Sequence, residues 1–269
     1  DRTFRLMEDF YSELVSMFKS PYIFAGFDET SDVGKGKSKH AVEKFGYPKV
    51  YADYYNSINR IAKKHGKRLW MYGMILVDYP EILDLIDKDI ILVNYTFFPP
   101  NIGEPWWDSL YGHIHIFRDK GFDEIVSPSL WNWEHIFPWY SVAYGTASDL
   151  NAAGHKAGCM GTMMASWCDD GGENFREYNW YGYAFQSEMA WNAENALSED
   201  VFSERFGEAY FGPGCKHLGS AVKILAKIDH EFDAYKIIYG KQRARIGQKI
   251  ISSIRAWTQY ASISGTHLM

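Results

Sequence analysis

The amino-acid sequence predicts an α/β fold built on a parallel sheet, and three observations predict it. Segments with helical spacing alternate with short apolar runs as far as Trp167. Those runs are unbroken rather than alternating, as in strands covered on both faces. The connections are short, and strand–helix–strand repeats joined in this way give parallel strands with helical crossovers. Either a barrel or a doubly wound sheet satisfies all three.

The elements follow in order. Residues 3–19 place Phe4, Met7, Phe10, Leu14, Val15 and Phe18 at helical intervals, and Pro21 ends the helix. The first apolar run is Tyr22 to Phe27. A helix from Tyr51 to His65, closed by Gly66, precedes the run Arg68 to Val77. A helix near Glu81 to Ile86 precedes Ile90 to Phe98, a helix from Trp107 to Lys120 precedes Glu124 to Leu130, and Ser141 to Ala157 precedes Cys159 to Trp167. From Ser198 onward the pattern is helical only, so residues 1–197 read as the α/β part and 198–269 as a helical extension.

Composition bounds the function. The 269 residues carry 46% hydrophobic side chains, enough for a large core, and a formal charge of -6 with both signs interleaved. Such a surface has no footprint for nucleic acid or an anionic membrane, and no apolar run is long enough to span a bilayer. Cys159, Cys168 and Cys215 form neither a disulfide framework nor a zinc pattern and read as free thiols. The chain opens at Asp1 without a basic-then-apolar leader, as expected of a processed protein or of a sequence that starts inside a longer one. Aromatic residues reach 17%, which either a large core or a sugar-binding cleft would explain.

Position separates the two. In parallel α/β folds the reactive side chains lie at the carboxyl ends of the strands. The first run ends in Asp28 and Glu29; the second carries Tyr72 and the third Tyr95; the fourth leads into Trp131, Asn132 and Trp133; the fifth leads into Trp167, Asp169 and Asp170. Adjacent carboxylates after an apolar run sit beside low-dielectric walls and a like charge. Both effects raise one of the two pKa values toward that of a general acid, which glycoside cleavage requires. Aromatic rings, for their part, stack on the apolar face of a pyranose.

These residues carry a resemblance. The run AGFDETSDVGKGKS is similar to the Asp-Glu signature of glycoside hydrolase family 20, the β-N-acetylhexosaminidases; MASWCDDGGE resembles that family's last barrel strand, and FSERFGEAYFG the helical segment after the barrel. The resemblance implies a (β/α)8 TIM-type barrel of which this chain holds the last five β/α units plus C-terminal helices. It implies a retaining, substrate-assisted reaction, in which the 2-acetamido oxygen attacks the anomeric carbon to give an oxazolinium ion. Glu29 would then be the acid that later activates water, and Asp28 would hold the acetamide N–H. Tyr72, Tyr95, Trp131, Trp133 and Trp167 would wall the pocket, and Asp169 would bond sugar hydroxyls. No metal or organic cofactor is expected. The partners expected are a glycan substrate and the N-terminal remainder of the barrel, in a longer parent chain or in a partner chain.

The resemblance has departures. Tyr72 stands where the family has Trp, and Met74 and Thr96 stand where it has acids. Two other readings follow: a carbohydrate-binding or scaffold relative without turnover, and a barrel glycosidase that uses Glu29 with Asp169 or Asp170 as nucleophile on sugars lacking the acetamide. Other signals are set aside. GKGKS at residues 34–38 has Ser31 where a phosphate loop needs glycine. His113 and His115 point to different sides of a helix, the sequon Asn94-Tyr95-Thr96 lies in a buried strand, and Lys241, Arg243, Arg245 and Lys249 read as a solvated face.

Overall fold

A computed structural model describes residues 2–28, 30, 32–97, 114, 116–132, 137–167 and 175–226. The chain divides into two compact units. Asp1–Tyr95, Gly103–Ser127 and Ala153–Thr162 form the first, and Thr96–Ile102, Pro128–Ala152 and Met163–Met269 form the second.

The first unit holds a five-stranded sheet: β1 (Tyr22–Phe24), β2 (Arg68–Tyr72), β3 (Ile91–Tyr95), β4 (Asp123–Ser127) and β5 (Gly161–Thr162). Every pairing is parallel and the spatial order is the chain order, β1-β2-β3-β4-β5. A doubly wound sheet reverses its order at a switch point, whereas a sheet wound in one direction is the arrangement of a (β/α) barrel. The sheet is therefore part of a barrel, with β1 and β5 at its edges.

Helices close the crossovers for local reasons. In α1 (Arg2–Ser16) the side chains of Phe4, Met7, Tyr11 and Leu14 recur at helical spacing and pack on the core. Gly46, at φ 78°, separates α2 (Lys39–Phe45) from α3 (Tyr47–Lys64), which starts with Pro48 in its first turn and is followed by Gly66 at φ 68°. On one face of the sheet Leu69, Met71 and Leu92 join Tyr55, Ile58, Phe117 and Phe122 in a continuous apolar core. Each such side chain contributes roughly 1.5–3 kcal/mol when fully buried.

The strands are shorter than the apolar runs that announce them. The run Arg68 to Val77 ends its pairing at Tyr72, and Ile75–Asp78 forms the short helix α4. Gly73 permits the break, because a Cβ there would lie 2.7 Å from the Phe117 ring. Likewise Gly161–Thr162 is the whole of β5, where the run extends from Cys159 to Trp167.

The second unit is organised by rings. Among the described residues its α-helices are α5 (Tyr140–Ala157), whose last residues belong to the first unit, α6 (Trp180–Trp191), α7 (Glu199–Phe211) and α8 (Lys216–Leu225). Tyr140, Tyr181, Phe185, Phe202 and Phe206 pack with centroids 5.0–6.2 Å apart. Helical periodicity does not announce α6, because apolar residues surround it on all sides. Gly182 lets it approach: a Cβ there would fall 1.9 Å from Leu130 Cδ1.

Several expectations fall outside the described residues: most of the helix Trp107–Lys120, His113 and His115, Cys168, and the basic stretch at 241–249. Cys159 and Cys215 are free thiols, and among the described residues no helix is long and apolar enough to cross a membrane.

One buried carboxyl group makes the first unit sensitive to pH. Glu124 of β4 has no solvent exposure; its Oε1 accepts from Asn94 Nδ2 at 3.0 Å and its Oε2 has no hydrogen-bond partner among the described residues. Burial pushes its pKa up to about 8, against the lowering effects of the Asn94 hydrogen bond and the Arg118 charge. The folded state thus keeps a proton that the unfolded state releases near the ordinary value of 4.5. This group's contribution is fully present below that value and is lost as pH rises through about 8. Urea midpoints should fall between about pH 5 and pH 8.5 by the equivalent of a few kcal/mol in the wild type, and far less in Glu124→Gln, which keeps the Asn94 contact without the charge. Parallel pH profiles for the two proteins would contradict this.

Candidate functional site

Asp28 lies just past the end of β1, and the chain is forced into position there. After Phe24 the ladder continues through Ala25 N–H to Trp70 C=O (3.0 Å) and Tyr72 N–H to Gly26 C=O (2.8 Å). Gly26 and Phe27 then adopt consecutive left-handed conformations, φ 74° and 69°. That geometry is uncommon for a phenylalanine and costs on the order of 1–2 kcal/mol. Phe27 is held in it by its ring, which stacks on Tyr55 at 5.1 Å and meets Tyr54 edge to face at 5.5 Å, both on α3. A third residue of the same helix, Tyr51, donates its hydroxyl to the Thr30 carbonyl at 3.1 Å. The residues on both sides of the Asp28-Glu29 pair are therefore tied to α3. Glu29 itself lies outside the described residues, as do Trp133, Asp169 and Asp170.

Tyr72 and Tyr95 come together beside Asp28. Alternation along the strands puts them on the face opposite Leu69, Met71 and Leu92. Phe24, Tyr72 and Tyr95 form a row across β1, β2 and β3, with centroids 5.0 and 4.9 Å apart and edge-to-face planes. Burial raises the Tyr72 pKa to about 12, and the negative charge of Asp28 adds to the shift. The carboxylate and the phenol therefore sense each other. Met74 follows this row at the start of α4. In the second unit, Thr96 is buried with a hydroxyl that has no hydrogen-bond partner among the described residues.

The second unit gathers Trp131, Asn132 and Trp167. The ends of the fourth and fifth runs stay in parallel contact through Leu130 N–H to Ala165 C=O (2.9 Å) and Ala165 N–H to Pro128 C=O (2.8 Å). Trp131 has φ 54° and is fixed at three points. Its backbone N–H donates to Ser129 Oγ at 3.1 Å, its indole N–H donates to the Phe97 carbonyl, and its ring meets Trp139 edge to face at 5.5 Å. Asn132 is buried and bridges two neighbours: Oδ1 accepts from Trp167 N–H (3.1 Å) and Nδ2 donates to Ser166 Oγ (3.2 Å). Among the expected aromatics, Tyr72, Tyr95 and Trp131 are buried and Trp167 is partly open. Phe27 and Trp131 are the two non-glycine residues with positive φ among the described residues, and each stands just past a strand end within its own unit.

Reasoning from strand ends did not single out Ser166, Ser129 or the α3 tyrosines. Ser166 adjoins Trp167 in MASWCDD and was legible as a polar group at a strand end. Tyr51, Tyr54 and Tyr55 look like ordinary core-facing helix residues, and nothing local marks them. Among the described residues no cluster of His, Cys, Asp and Glu could hold a metal.

The coupling of Tyr72 to Asp28 is measurable. With carbon-13-labelled tyrosine, the ring signal lost in Tyr72→Phe should titrate near pH 12, and Asp28→Asn should lower its midpoint while burial keeps it above the ordinary value of 10. An unchanged midpoint in Asp28→Asn would mean that the two groups do not interact.

No protein-family profile matches this chain, and no curated protein matches it in sequence. Solved structures do match. A β-N-acetylhexosaminidase of Bacteroides fragilis aligns with 81% of this chain at 15% identity and TM-score 0.49, with 47% of its own length covered. A family 20 chitobiase of Flavobacterium johnsoniae aligns with 95% of this chain at 18% identity and TM-score 0.55, and this chain spans 36% of its length. The resemblance read from the motifs is thus matched in fold, and this chain has the fold of part of a family 20 glycoside hydrolase.

Proposed function

We propose that this chain is the C-terminal part of the catalytic barrel of a retaining exo-β-N-acetylhexosaminidase, which removes terminal N-acetylglucosamine or N-acetylgalactosamine from glycans. The observation that carries the reading is Asp28, just past the carboxyl end of a barrel strand, with Phe27 before it and Thr30 after it tied to α3; Glu29 follows Asp28 in the sequence. Two adjacent carboxylates cannot attack opposite faces of one sugar. A substrate that supplies its own nucleophile removes that need: its acetamide oxygen forms the bond to the anomeric carbon as the leaving oxygen takes a proton from Glu29. Glu29 then draws a proton from the water that opens the oxazolinium ion. Asp28 accepts from the acetamide N–H and offsets the developing positive charge.

Tyr72, Tyr95, Trp131, Trp133 and Trp167 supply apolar contact to the sugar, and Asp169 bonds its hydroxyls. The edge strands β1 and β5 would be completed by the N-terminal remainder of the barrel, carried by a longer parent chain or by a partner chain. Met74, where the resemblance expects an acid, favours a second reading: a carbohydrate-binding relative that no longer turns over.

Hydrolysis of 4-nitrophenyl N-acetyl-β-glucosaminide and its galacto epimer decides between them. The wild type should release nitrophenol from both acetamido sugars and not from the plain β-glucoside, with Glu29→Gln reducing the rate at least 100-fold. The loss should be smaller with an activated phenol than with a natural glycan, since a phenolate leaves with little protonation. Binding without release, in the chain and in its longer parent, would favour the second reading.

A further inference from the structure

The loop before α6 and the first turn of that helix leave large aromatic side chains in solvent. Phe175 is 67% exposed, Trp180 51%, and Tyr178 and Tyr183 37% each. Singly exposed rings are ordinary, but a cluster leaves contiguous apolar area in water at about 25 cal/mol per Å2 and marks a binding surface. The rings are held in place. Phe175 meets Tyr178 edge to face at 5.5 Å, Tyr178 meets Phe137 at 5.0 Å, and Trp180 meets Tyr183 edge to face at 5.9 Å. The Tyr140 hydroxyl donates to the Tyr178 carbonyl.

The cluster is continuous with the strand-end residues of the same unit. The Tyr183 hydroxyl lies 3.1 Å from that of Ser166, which accepts from Asn132 Nδ2, and Asn132 Oδ1 accepts from the Trp167 N–H. Among the described residues its flanking charges, Arg176 and Glu177, are both exposed and of opposite sign. Fixed, exposed rings beside hydroxyls suit the apolar face of a pyranose, and flanking charges without a basic excess suit an uncharged glycan over an anionic polymer. Ordering such rings on binding costs little, because they are ordered already.

We propose that Phe175, Tyr178, Trp180 and Tyr183 form a stacking platform for the sugar residues of a neutral oligosaccharide beyond its terminal one. The inference rests on the hexosaminidase reading for which residue is terminal; the stacking itself needs no turnover. Calorimetric titration of the full chain with chitotetraose and with free N-acetylglucosamine tests it. The wild type should bind the tetrasaccharide more tightly. Trp180→Ala should lose roughly tenfold for the tetrasaccharide and nothing for the monosaccharide, and Trp180→Phe, which keeps a ring, should recover most of the loss. Trp191→Ala, which removes an indole 92% exposed at the other end of α6, should change neither.

No tetrasaccharide binding by the wild type, no preference for it, or a Trp180→Ala loss equal for both sugars or absent, overturns the platform. The nitrophenyl assay keeps the two ideas apart. Length-dependent binding that follows Trp180, with no nitrophenol released by this chain or by a form that carries the rest of the barrel, leaves the platform standing and sinks the hexosaminidase reading. Normal release with no dependence of binding on Trp180 does the reverse.

Discussion

A parallel ladder cannot be closed by a tight turn. Each strand of this sheet pairs with the next in the same direction, so the chain must return along the outside of the sheet before it can pair again. That one requirement accounts for the helices between the strands and for the apolar layer of Leu69, Met71, Leu92, Phe117 and Phe122 beneath them. It also brings every strand of the sheet to its carboxyl end at the same edge. Asp28, Tyr72 and Tyr95, separated by tens of residues in the chain, are gathered at that edge by the ladder alone.

Gathering does not aim a side chain, and the aiming is done by the outer layer. The backbone at Gly26 and Phe27 leaves the ladder through two left-handed residues, and a phenylalanine stays in that conformation because Tyr54 and Tyr55 hold its ring. In the second unit Trp131 is fixed by Ser129, Phe97 and Trp139 while it too has positive φ. Strain at these two strand ends is offset by aromatic packing elsewhere, which is how a fold holds a backbone in a sparsely populated region. The helix α3 therefore closes a crossover and also braces Phe27 and Thr30, on either side of Asp28.

The high aromatic content divides accordingly. Tyr51, Tyr54, Tyr55, Tyr140, Tyr181, Phe185, Phe202 and Phe206 pack within the two units and need no ligand to explain them. Tyr72, Tyr95 and Trp131 sit at strand ends but are buried. The described rings open to solvent include Phe24 at the end of β1, Trp167 in part, and those at the start of α6, in a segment whose helix has no amphipathic signature. Composition could not separate these groups, because a tyrosine in a core and a tyrosine on a platform are the same letter.

Much of the architecture was legible in the chain. Apolar runs alternating with helical spacing determine a parallel α/β fold, because only crossover helices can join strands that are covered on both faces. The places of Asp28, Tyr72, Tyr95 and Trp131 at or just past strand ends were legible too, since each directly ends or follows an apolar run. Three things were decided only in three dimensions. The order β1-β2-β3-β4-β5 chose a barrel over a doubly wound sheet, because order depends on which edge each returning strand pairs with, and no local pattern encodes that. The strands stopped earlier than their apolar runs, at Phe24, Tyr72 and Thr162, because pairing partners and not hydrophobicity end a ladder. The roles of Tyr51, Tyr54, Tyr55 and Gly182 appeared only when distant segments met, for a contact between residues far apart in the chain leaves no periodicity in either of them.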